Sequence, residues 1–166
     1  MRASSAPIFT DAVEARDHTR SRGAGRVVLA NGCFDPLHVG HIRYLNDARA
    51  HGDFLLVALN NDASARRLKG NGRPVVGEDA RARLLAALSA VDAVLLFGED
   101  TVEAILDVLR PAVHAKGTDY TAETVPEADA AKRLGIRTVI AGDPKAHASR
   151  EIVARMRSTP GGSARS

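Results

Sequence analysis

The sequence predicts an α/β fold built on one doubly wound parallel sheet of about five strands. Short segments rich in Val, Ile and Leu recur along the chain, and segments with helical spacing of apolar residues separate them. This alternation is typical of βαβ units, whose strands pair in parallel and whose helices cover both faces of the sheet. The chain has 166 residues, 45% of them hydrophobic, which is enough to bury one core of ordinary size.

The elements are predicted in the following order. Residues 1–24 form an N-terminal arm or a peripheral helix, residues 25–157 form the domain, and residues 158–166, rich in Gly and Ser, form a disordered tail. Within the N-terminal segment, residues 9–18 have an amphipathic pattern. The predicted strands are 26–30, 54–60, 93–97, 112–116 and 137–142. The predicted helices are 39–51, 62–68 capped by Asp62 or Ser64, 79–90, 101–109 capped by Thr101, and 150–157.

Composition excludes several classes of protein. No apolar run approaches the length of a transmembrane helix, and acidic residues interrupt the N-terminus where a signal peptide would be apolar. A soluble cytoplasmic protein is therefore expected. Cys33 is the only cysteine, so neither an internal disulfide nor a multi-cysteine zinc site can form. The net charge of +3 is spread along the chain and only 4% of residues are aromatic, which favours a small phosphate-rich ligand over nucleic acid or a membrane.

Polar segments follow three of the predicted strands. The first is NGCFDPLHVGH at residues 31–41, the second is Asn60 to Asp62, and the third is Lys116 with Gly117. The carboxyl ends of parallel strands meet at one edge of a sheet, where ligands of such folds bind. The three segments are therefore expected to converge.

Residues 31–41 have the composition of a phosphate site. His38 and His41, three residues apart at the start of a helix, share one face of it. A helix N-terminus offers N–H groups and a partial positive charge to phosphate, and imidazoles beside it can stabilise oxygens that gain negative charge. Gly32 and Gly40 let the backbone approach a ligand closely.

Two other interpretations of the histidines are possible from the sequence. They could only cap the helix or pack, although two histidines with two glycines at a strand-to-helix turn favour a ligand site. They could also bind zinc, which needs a third protein ligand such as Asp35, His114 or His147. The glycines and the helix start favour phosphate over zinc.

The segment NGCFDPLHVGHIRYLNDAR resembles the signature of the cytidylyltransferase-like nucleotidyltransferase family, whose hallmark is the HxGH pair, here His38-Val39-Gly40-His41. Residues 60–75, NNDASARRLKGNGRPV, resemble the NSDxSxxRLKGxxRPV segment of the bacterial heptose-1-phosphate adenylyltransferases, and KGTDY at 116–120 resembles their KGGDY. The glycerol-3-phosphate cytidylyltransferases are also similar. The resemblance implies a single-domain Rossmann-like fold of the HxGH nucleotidyltransferase type.

The resemblance also implies roles for individual residues. Asp35 would fix its loop, and Mg²⁺ would be held mainly by the NTP phosphates, with no protein metal ligand. Arg73 and Arg81 would bind phosphate, the alternative being that each forms a salt bridge or lies at the surface. The implied catalytic residues are His38, His41 and Lys69; the nucleotide-binding residues are Gly32, Cys33, Phe34, Gly40, Arg81, Lys116, Gly117, Asp119, Ser149 and Arg150; the acceptor-binding residues are Asn60, Asp62 and Arg73.

The function predicted from these residues is transfer of a nucleotide from ATP or CTP to a small phosphorylated acceptor. The resemblance to the family also implies a homodimer. The family commonly opens its last helix with a Ser-Thr-Thr run, whereas this chain has AHASREI at 146–152, where Ser149 can cap the helix and Arg150 can supply charge. Two alternatives stay open. One is a CTP-dependent enzyme acting on a phosphonate or polyol phosphate, and the other is a non-catalytic nucleotide-sensing domain.

Overall fold

A parallel sheet of six strands forms the centre of the computed structural model, which describes residues 5–144 and 149–158. The strands are β1 Ile8–Phe9, β2 Val27–Gly32, β3 Phe54–Asn60, β4 Ala93–Phe97, β5 Val113–Gly117 and β6 Arg137–Ala141. Their order in the sheet is β1-β4-β3-β2-β5-β6, and every neighbouring pair is parallel. The predicted α/β fold is confirmed. The additional strand is the two-residue β1, which is too short to produce a periodic pattern.

Helices cover both faces of this sheet. They are α1 Ala12–Ser21, α2 Val39–Ala50, α3 Asp62–Lys69, α4 Glu78–Ala86, α5 Glu103–Leu109, α6 Ala128–Arg133 and α7 Ser149–Ser158. One core cluster packs α2 and α4 against the sheet, for example through Leu45 and Leu85. The other packs α1, α5 and α6 on the opposite face, for example through Ala15, Leu106 and Ala130.

The strand β3 shows why the central strands were readable from the sequence. All seven of its residues are buried. Leu55 and Val57 enter one core cluster, and Leu56 and Ala58 enter the other. A strand buried on both faces gives a continuous apolar run, so its predicted bounds agree with the observed ones, as they do for β4.

The N-terminal segment is part of this architecture. The strand β1 pairs with β4, and Asp11 caps α1 by accepting hydrogen bonds from the backbone N–H groups of Val13 and Glu14 at 2.8 and 2.9 Å. Ala15 on α1 is fully buried. Residues 8–21, predicted as an arm or a peripheral helix, thus add an edge strand and a covering helix.

Several predicted helix ends were wrong. Asn61, not Asp62 or Ser64, caps α3 by accepting the N–H of Ser64 at 2.9 Å. Thr101 does not cap α5, which begins after Val102 without a side-chain cap. The helix α4 ends at Ala86 rather than at residue 90, and the short α6, with its brief Ala-rich pattern, was not predicted.

Two parts of the predictions lie outside the described residues. The tail is one of them: Ser158 ends α7, and residues 159–166 are not described. The other is the capping role of Ser149, because its side chain and residues 145–148, His147 among them, are not described. None of the described helices is long and apolar enough to cross a membrane.

The order of the strands reverses at β2. The chain runs from β2 through β3 to β4 on one side and then crosses to β5 and β6 on the other. A crevice at the carboxyl ends of the strands is expected at such a switch point. The helix α2 crosses it: the hydroxyl of Tyr44 donates to the carbonyl of Ala115 at 2.7 Å, and Asp47 accepts the N–H of Gly142 at 2.8 Å.

Candidate active site

The two histidines of the HxGH segment close the N-terminus of α2 with reciprocal hydrogen bonds. Nδ1 of His38 accepts the N–H of Gly40 at 3.1 Å, and Nδ1 of His41 accepts the N–H of His38 at 3.3 Å. This is a capping box with imidazoles in place of the usual side chains. An Nδ1 that accepts must be unprotonated, so the proton of each neutral ring is on Nε2.

The histidine rings are stacked on one another. Their centroids are 3.8 Å apart with an interplanar angle of 25°, and Phe34 packs its ring against His41 at 5.1 Å. Since Nε2 is on the side of each ring away from Nδ1, the caps direct two N–H donors away from the capped turn. Capping and ligand binding are compatible here, because the capping bonds set the tautomer that a phosphate site needs. The pair suits an oxygen that gains negative charge.

The carboxylate of Asp35 ties this turn to the loop at residues 70–76. Asp35 is 2% exposed. It accepts the N–H groups of Val75 and Val76 at 2.7 and 2.8 Å and Nε of Arg73 at 2.8 Å, and the Arg73 guanidinium also donates to the Asp35 carbonyl. Burial acts to raise the pKa of Asp35, but these hydrogen bonds together hold it below its ordinary value. Asp35 is a fixing residue, as the resemblance implied.

Replacing Asp35 by asparagine is expected to destabilise the fold by about 1–3 kcal/mol at neutral pH. An amide would turn a donor toward at least one of the donors that now face the carboxylate. Because the pKa is lowered in the fold, the stabilising contribution is complete above the ordinary value of 3.8 and is lost as the pH falls through the folded pKa. Urea unfolding of both proteins should therefore show a difference that narrows in acid. Asp79→Asn, whose carboxylate is 80% exposed, is the control, and a constant difference at all pH values would contradict this account.

Arg81 on α4 joins three segments beneath the site. It is 1% exposed. Its Nη1 donates to the carbonyls of Cys33 and Asn60 at 2.7 and 2.9 Å, its Nη2 to Asp62 at 2.7 Å, and its Nε to the carbonyl of Val76 at 2.8 Å. A guanidinium has five N–H donors, so the protein uses four of them. This geometry supports the salt-bridge interpretation of Arg81 over direct contact with nucleotide.

The predicted acceptor-binding residues also have protein partners. Asn60 is 3% exposed and donates through Nδ2 to Ser64 at 2.8 Å, whereas Asp62 accepts from Arg81. Arg73 forms a salt bridge with the carboxylate of Asp35. Their direct binding to an acceptor stays a prediction, and the structure shows how each one shapes the rim.

Lys69 ends α3 and is exposed to solvent. Its ammonium is near enough to Cys33 to influence the thiol: burial raises the pKa of Cys33, and the charges of Lys69, Arg81 and Arg73 oppose that rise. The helix α3, which Lys69 ends, starts directly after β3, at the carboxyl edge of the sheet. Gly70 follows it with φ of 91°, a conformation that disfavours other residues.

The end of β5 has buried polar groups. Lys116 is 6% exposed, and its Nζ is 3.4 Å from Oε2 of Glu127 and 3.5 Å from Oδ1 of Asn31. His114 is fully buried and its Nε2 is 3.0 Å from the same Asn31 oxygen. Burial lowers the pKa of His114 to about 4; the charge of Lys116 adds to this effect, and that of Glu127 opposes it. His114 is therefore neutral at physiological pH.

The remaining predicted site residues lie at the end of β5 and at the start of α7. Gly117 ends β5, and Asp119 follows it in an exposed turn. Arg150 is exposed in the first turn of α7. That helix runs beside the loop at 70–74, since a Cβ built on Gly72 would lie 2.9 Å from Nη2 of Arg157.

A cavity of about 390 Å³ lies beside this rim, near the end of β4. Its lining includes Asp11, Glu78 and Glu99 but neither histidine. The carboxylates make it a poor place for phosphate. Within the described ranges, no group of three or more His, Cys, Asp or Glu residues is arranged to hold a metal ion.

Comparison with known proteins agrees with this geometry. The sequence model of the family described as cytidylyltransferase-like matches residues 29–159. The chain belongs to the cytidylyltransferase-like family. It is 53% identical over 118 residues, or 71% of its length, to the bifunctional protein HldE of Syntrophotalea carbinolica, and 47% identical over 147 residues, or 89%, to that of Acidiphilium cryptum. It spans only 24% and 30% of the length of these two relatives.

Two solved structures have the same fold. The lipopolysaccharide core biosynthesis protein of Thermoplasma volcanium aligns with a TM-score of 0.61 and 28% identity, covering 72% of this chain and 98% of that one. Pantothenate synthetase of Thermus thermophilus aligns with a TM-score of 0.64 and 13% identity over 91% of this chain and 70% of that one, which is a likeness of fold alone. The predicted membership of the cytidylyltransferase-like family and the Rossmann-like fold are confirmed.

Sequence reasoning missed part of the site's support. Glu127 and Tyr44 had no role assigned, and Asn31 was quoted only as the start of a segment. Asn31 and Tyr44 lie within the quoted segment 31–49, but their partners are distant in the sequence, as with Tyr44, which contacts a strand 71 positions away. Glu127 lies outside every quoted motif, 11 positions after Lys116. The one available signal for Glu127 was an acidic residue between Pro126 and the Ala-rich run of α6.

Proposed function

We propose that this chain transfers the NMP group of an NTP to a phosphate oxygen of a small sugar phosphate and releases pyrophosphate. The observation that carries the proposal is the stacked pair His38 and His41 at the start of α2. The pair follows β2, where the order of the strands reverses. It provides N–H donors and a helix N-terminus in the crevice where the fold places a ligand.

In this reaction the acceptor oxygen attacks the α-phosphorus of the NTP. A new P–O bond forms there, the bond from the α-phosphorus to the bridging oxygen breaks, and pyrophosphate leaves with that electron pair. An acceptor phosphate is already largely ionised at neutral pH, so no general base is needed. His38 and His41 would donate Nε2–H to the phosphoryl oxygens as their charge grows, and the rim would hold both reactants in line.

Magnesium is part of this proposal. The carboxylates on the rim are engaged, Asp35 by Arg73 and two backbone N–H groups and Asp62 by Arg81. The rim therefore fits an ion that arrives on the nucleotide phosphates rather than one held by a protein ligand set. Such an ion would neutralise charge on the triphosphate, while Lys69, on its exposed helix end, would approach the phosphates from the side of α3.

A sugar phosphate and ATP are the favoured substrates for two reasons. The segments at 60–75 and 116–120 resemble the heptose-1-phosphate adenylyltransferases. The similar proteins named HldE and the similar lipopolysaccharide core biosynthesis protein also support an acceptor of that class.

Pyrophosphate release tests the proposal. ATP and CTP would each be supplied with a sugar 1-phosphate, a polyol phosphate and a phosphonate, with an acceptor-free reaction as the control for hydrolysis. We expect release that depends on the acceptor, is fastest with ATP and the sugar phosphate, and yields a nucleotide-linked product by mass. Faster turnover with CTP and a phosphonate or polyol phosphate would replace the proposal by the cytidylyltransferase alternative. Nucleotide binding without release on any acceptor would establish the sensing alternative.

A further inference from the structure

One layer of the core contains a group of buried polar side chains, here called the β5 cluster, made of Asn31, His114, Lys116 and Glu127. His114 and Lys116 alternate with Ala115 along β5, and Ala115 belongs to the core cluster on the α2 side. The β5 cluster is therefore on the opposite face, beneath α5 and α6. Its neighbours there are apolar, for example Leu29 and Ala131.

The β5 cluster contains a buried pair of opposite charges. The side chains of Lys116 and Glu127 are 8% and 2% exposed, and their charged atoms are 3.4 Å apart. Burying either charge alone would cost several kcal/mol. His114 is neutral at physiological pH, so the charges of the cluster balance only because Glu127 faces Lys116.

Glu127 is fixed on the side away from the lysine. It precedes the first residue of α6, and its Oε1 accepts the N–H of Val102, just before α5, at 3.4 Å. Among the described side chains, two buried atoms have no hydrogen-bond partner, Nδ1 of His114 and Oε2 of Glu127. Oε2 is the atom that faces the ammonium, at a distance and angle that make an ion pair and not a hydrogen bond.

Lys116 is held at the mouth of the crevice. Its ammonium has three N–H donors. It donates one hydrogen bond to Oδ1 of Asn31 at 3.5 Å and forms an ion pair with Oε2 of Glu127 at 3.4 Å. The ring of Tyr120, in the KGTDY segment, lies 4.8 Å from Nζ. Both polar distances exceed those of ordinary N–H···O bonds, so a ligand oxygen can compete for the ammonium.

We propose that Glu127 is a positioning residue, which holds the ammonium of Lys116 at the end of β5 so that Lys116 binds the nucleotide away from the reacting phosphorus. This rests on the proposed function and on the role that the resemblance implies for Lys116. Glu127 itself is too buried to touch the nucleotide. Its contribution therefore passes through Lys116 and has no effect when the lysine is absent.

A double-mutant cycle tests this dependence. The variants are Glu127→Gln, Lys116→Met and the two combined. Glutamine keeps the acceptor for Val102 but removes the charge. We expect either single change to raise KM for the nucleotide about tenfold, the usual size for one hydrogen bond to a charged group. We expect kcat to stay within about threefold, because the contact is remote from the transferred group. The combined variant should match Lys116→Met.

Asp129→Asn is the matched control, because this exposed carboxylate is in the first turn of the same helix α6. It should leave KM unchanged. Thermal unfolding is measured for all variants, and a lower melting temperature of Glu127→Gln with wild-type KM would overturn the proposal, as would effects on KM that add in the combined variant. If one of the two single variants does not fold, the comparison of the other with the combined variant decides. Equal KM values support the proposal and a further rise overturns it.

The outcome for the proposed function is separate. A wild-type chain that binds nucleotide but releases no pyrophosphate contradicts nucleotidyl transfer. In that case the nucleotide dissociation constant is measured for each variant of the cycle in place of KM, and the expected changes are the same. A wild-type chain that turns over normally while Glu127→Gln retains wild-type KM contradicts the role of Glu127 alone. A chain that binds neither ATP nor CTP contradicts both.

Discussion

Asparagine in place of His38 or His41 is expected to lower kcat for pyrophosphate release about 100- to 1000-fold, the usual effect of removing one donor to a developing negative charge. The amide oxygen of asparagine occupies the position of Nδ1, so it can accept the backbone N–H that each histidine now caps. The Nε2–H donor has no counterpart in asparagine. Activity should therefore fall while the fold stays close to the wild type.

Alanine variants and a third histidine complete this test. His38→Ala removes the cap as well as the donor, and should cost about 1 kcal/mol of folding stability in addition to the loss of activity. His51→Asn changes a histidine at the opposite end of the same helix, and its kcat should not change. Near-normal kcat in both His38→Asn and His41→Asn would eliminate the proposed role of the pair.

Lysine in place of Arg81 is expected to destabilise the fold by about 3 kcal/mol or more, although the charge is kept. A single ammonium cannot reach the carbonyls of Cys33, Asn60 and Val76 and the carboxylate of Asp62 together. Buried acceptors left without donors account for the cost. Urea unfolding measures it, and nucleotide affinity should fall too, because the turn at the end of β2 loses its support.

Arg83 provides the control for this substitution. It is on the same helix, its side chain is 72% exposed, and it forms an ion pair with the exposed Asp79 four residues earlier. Arg83→Lys should leave the urea midpoint close to that of the wild type, because an exposed ion pair contributes little to stability. If Arg81→Lys has wild-type stability but weak nucleotide binding, Arg81 contacts the ligand directly and the supporting role is wrong.

The parts of the fold that the sequence revealed are those with strong local patterns. Strands buried on both faces, such as β3, give uninterrupted apolar runs. The HxGH turn is recognisable because its two histidines are three residues apart with a glycine between them. The two residues of β1 and the six of α6 give no period to read. The capping residue of α3 was misplaced because Asn61, Asp62 and Ser64 are all good caps, and only the backbone geometry selects among them.

The supporting residues of the site were harder to predict for a different reason. Arg73 and Arg81 match the same resemblance, yet each contacts a carboxylate brought to it by the fold, Asp35 from 38 positions away and Asp62 from 19. An arginine that binds phosphate and one that braces a loop look alike in a sequence. The Lys116 and Glu127 pair likewise depends on the fold, which brings the residue before α6 to the end of β5.

The helix α2 connects the histidine pair to the last two strands of the sheet. Its first turn carries the histidine pair, whereas Tyr44 and Asp47 attach its middle to Ala115 on β5 and to Gly142 just after β6. The strand β5 pairs with β2 over three residue pairs, compared with six between β2 and β3, and the two hydrogen bonds from α2 add to this shorter pairing. If Lys116 binds nucleotide as proposed, a shift of β5 relative to β2 would be transmitted through these hydrogen bonds to α2, which carries the histidines. Binding of the nucleotide at Lys116 and alignment of His38 and His41 would then be coupled.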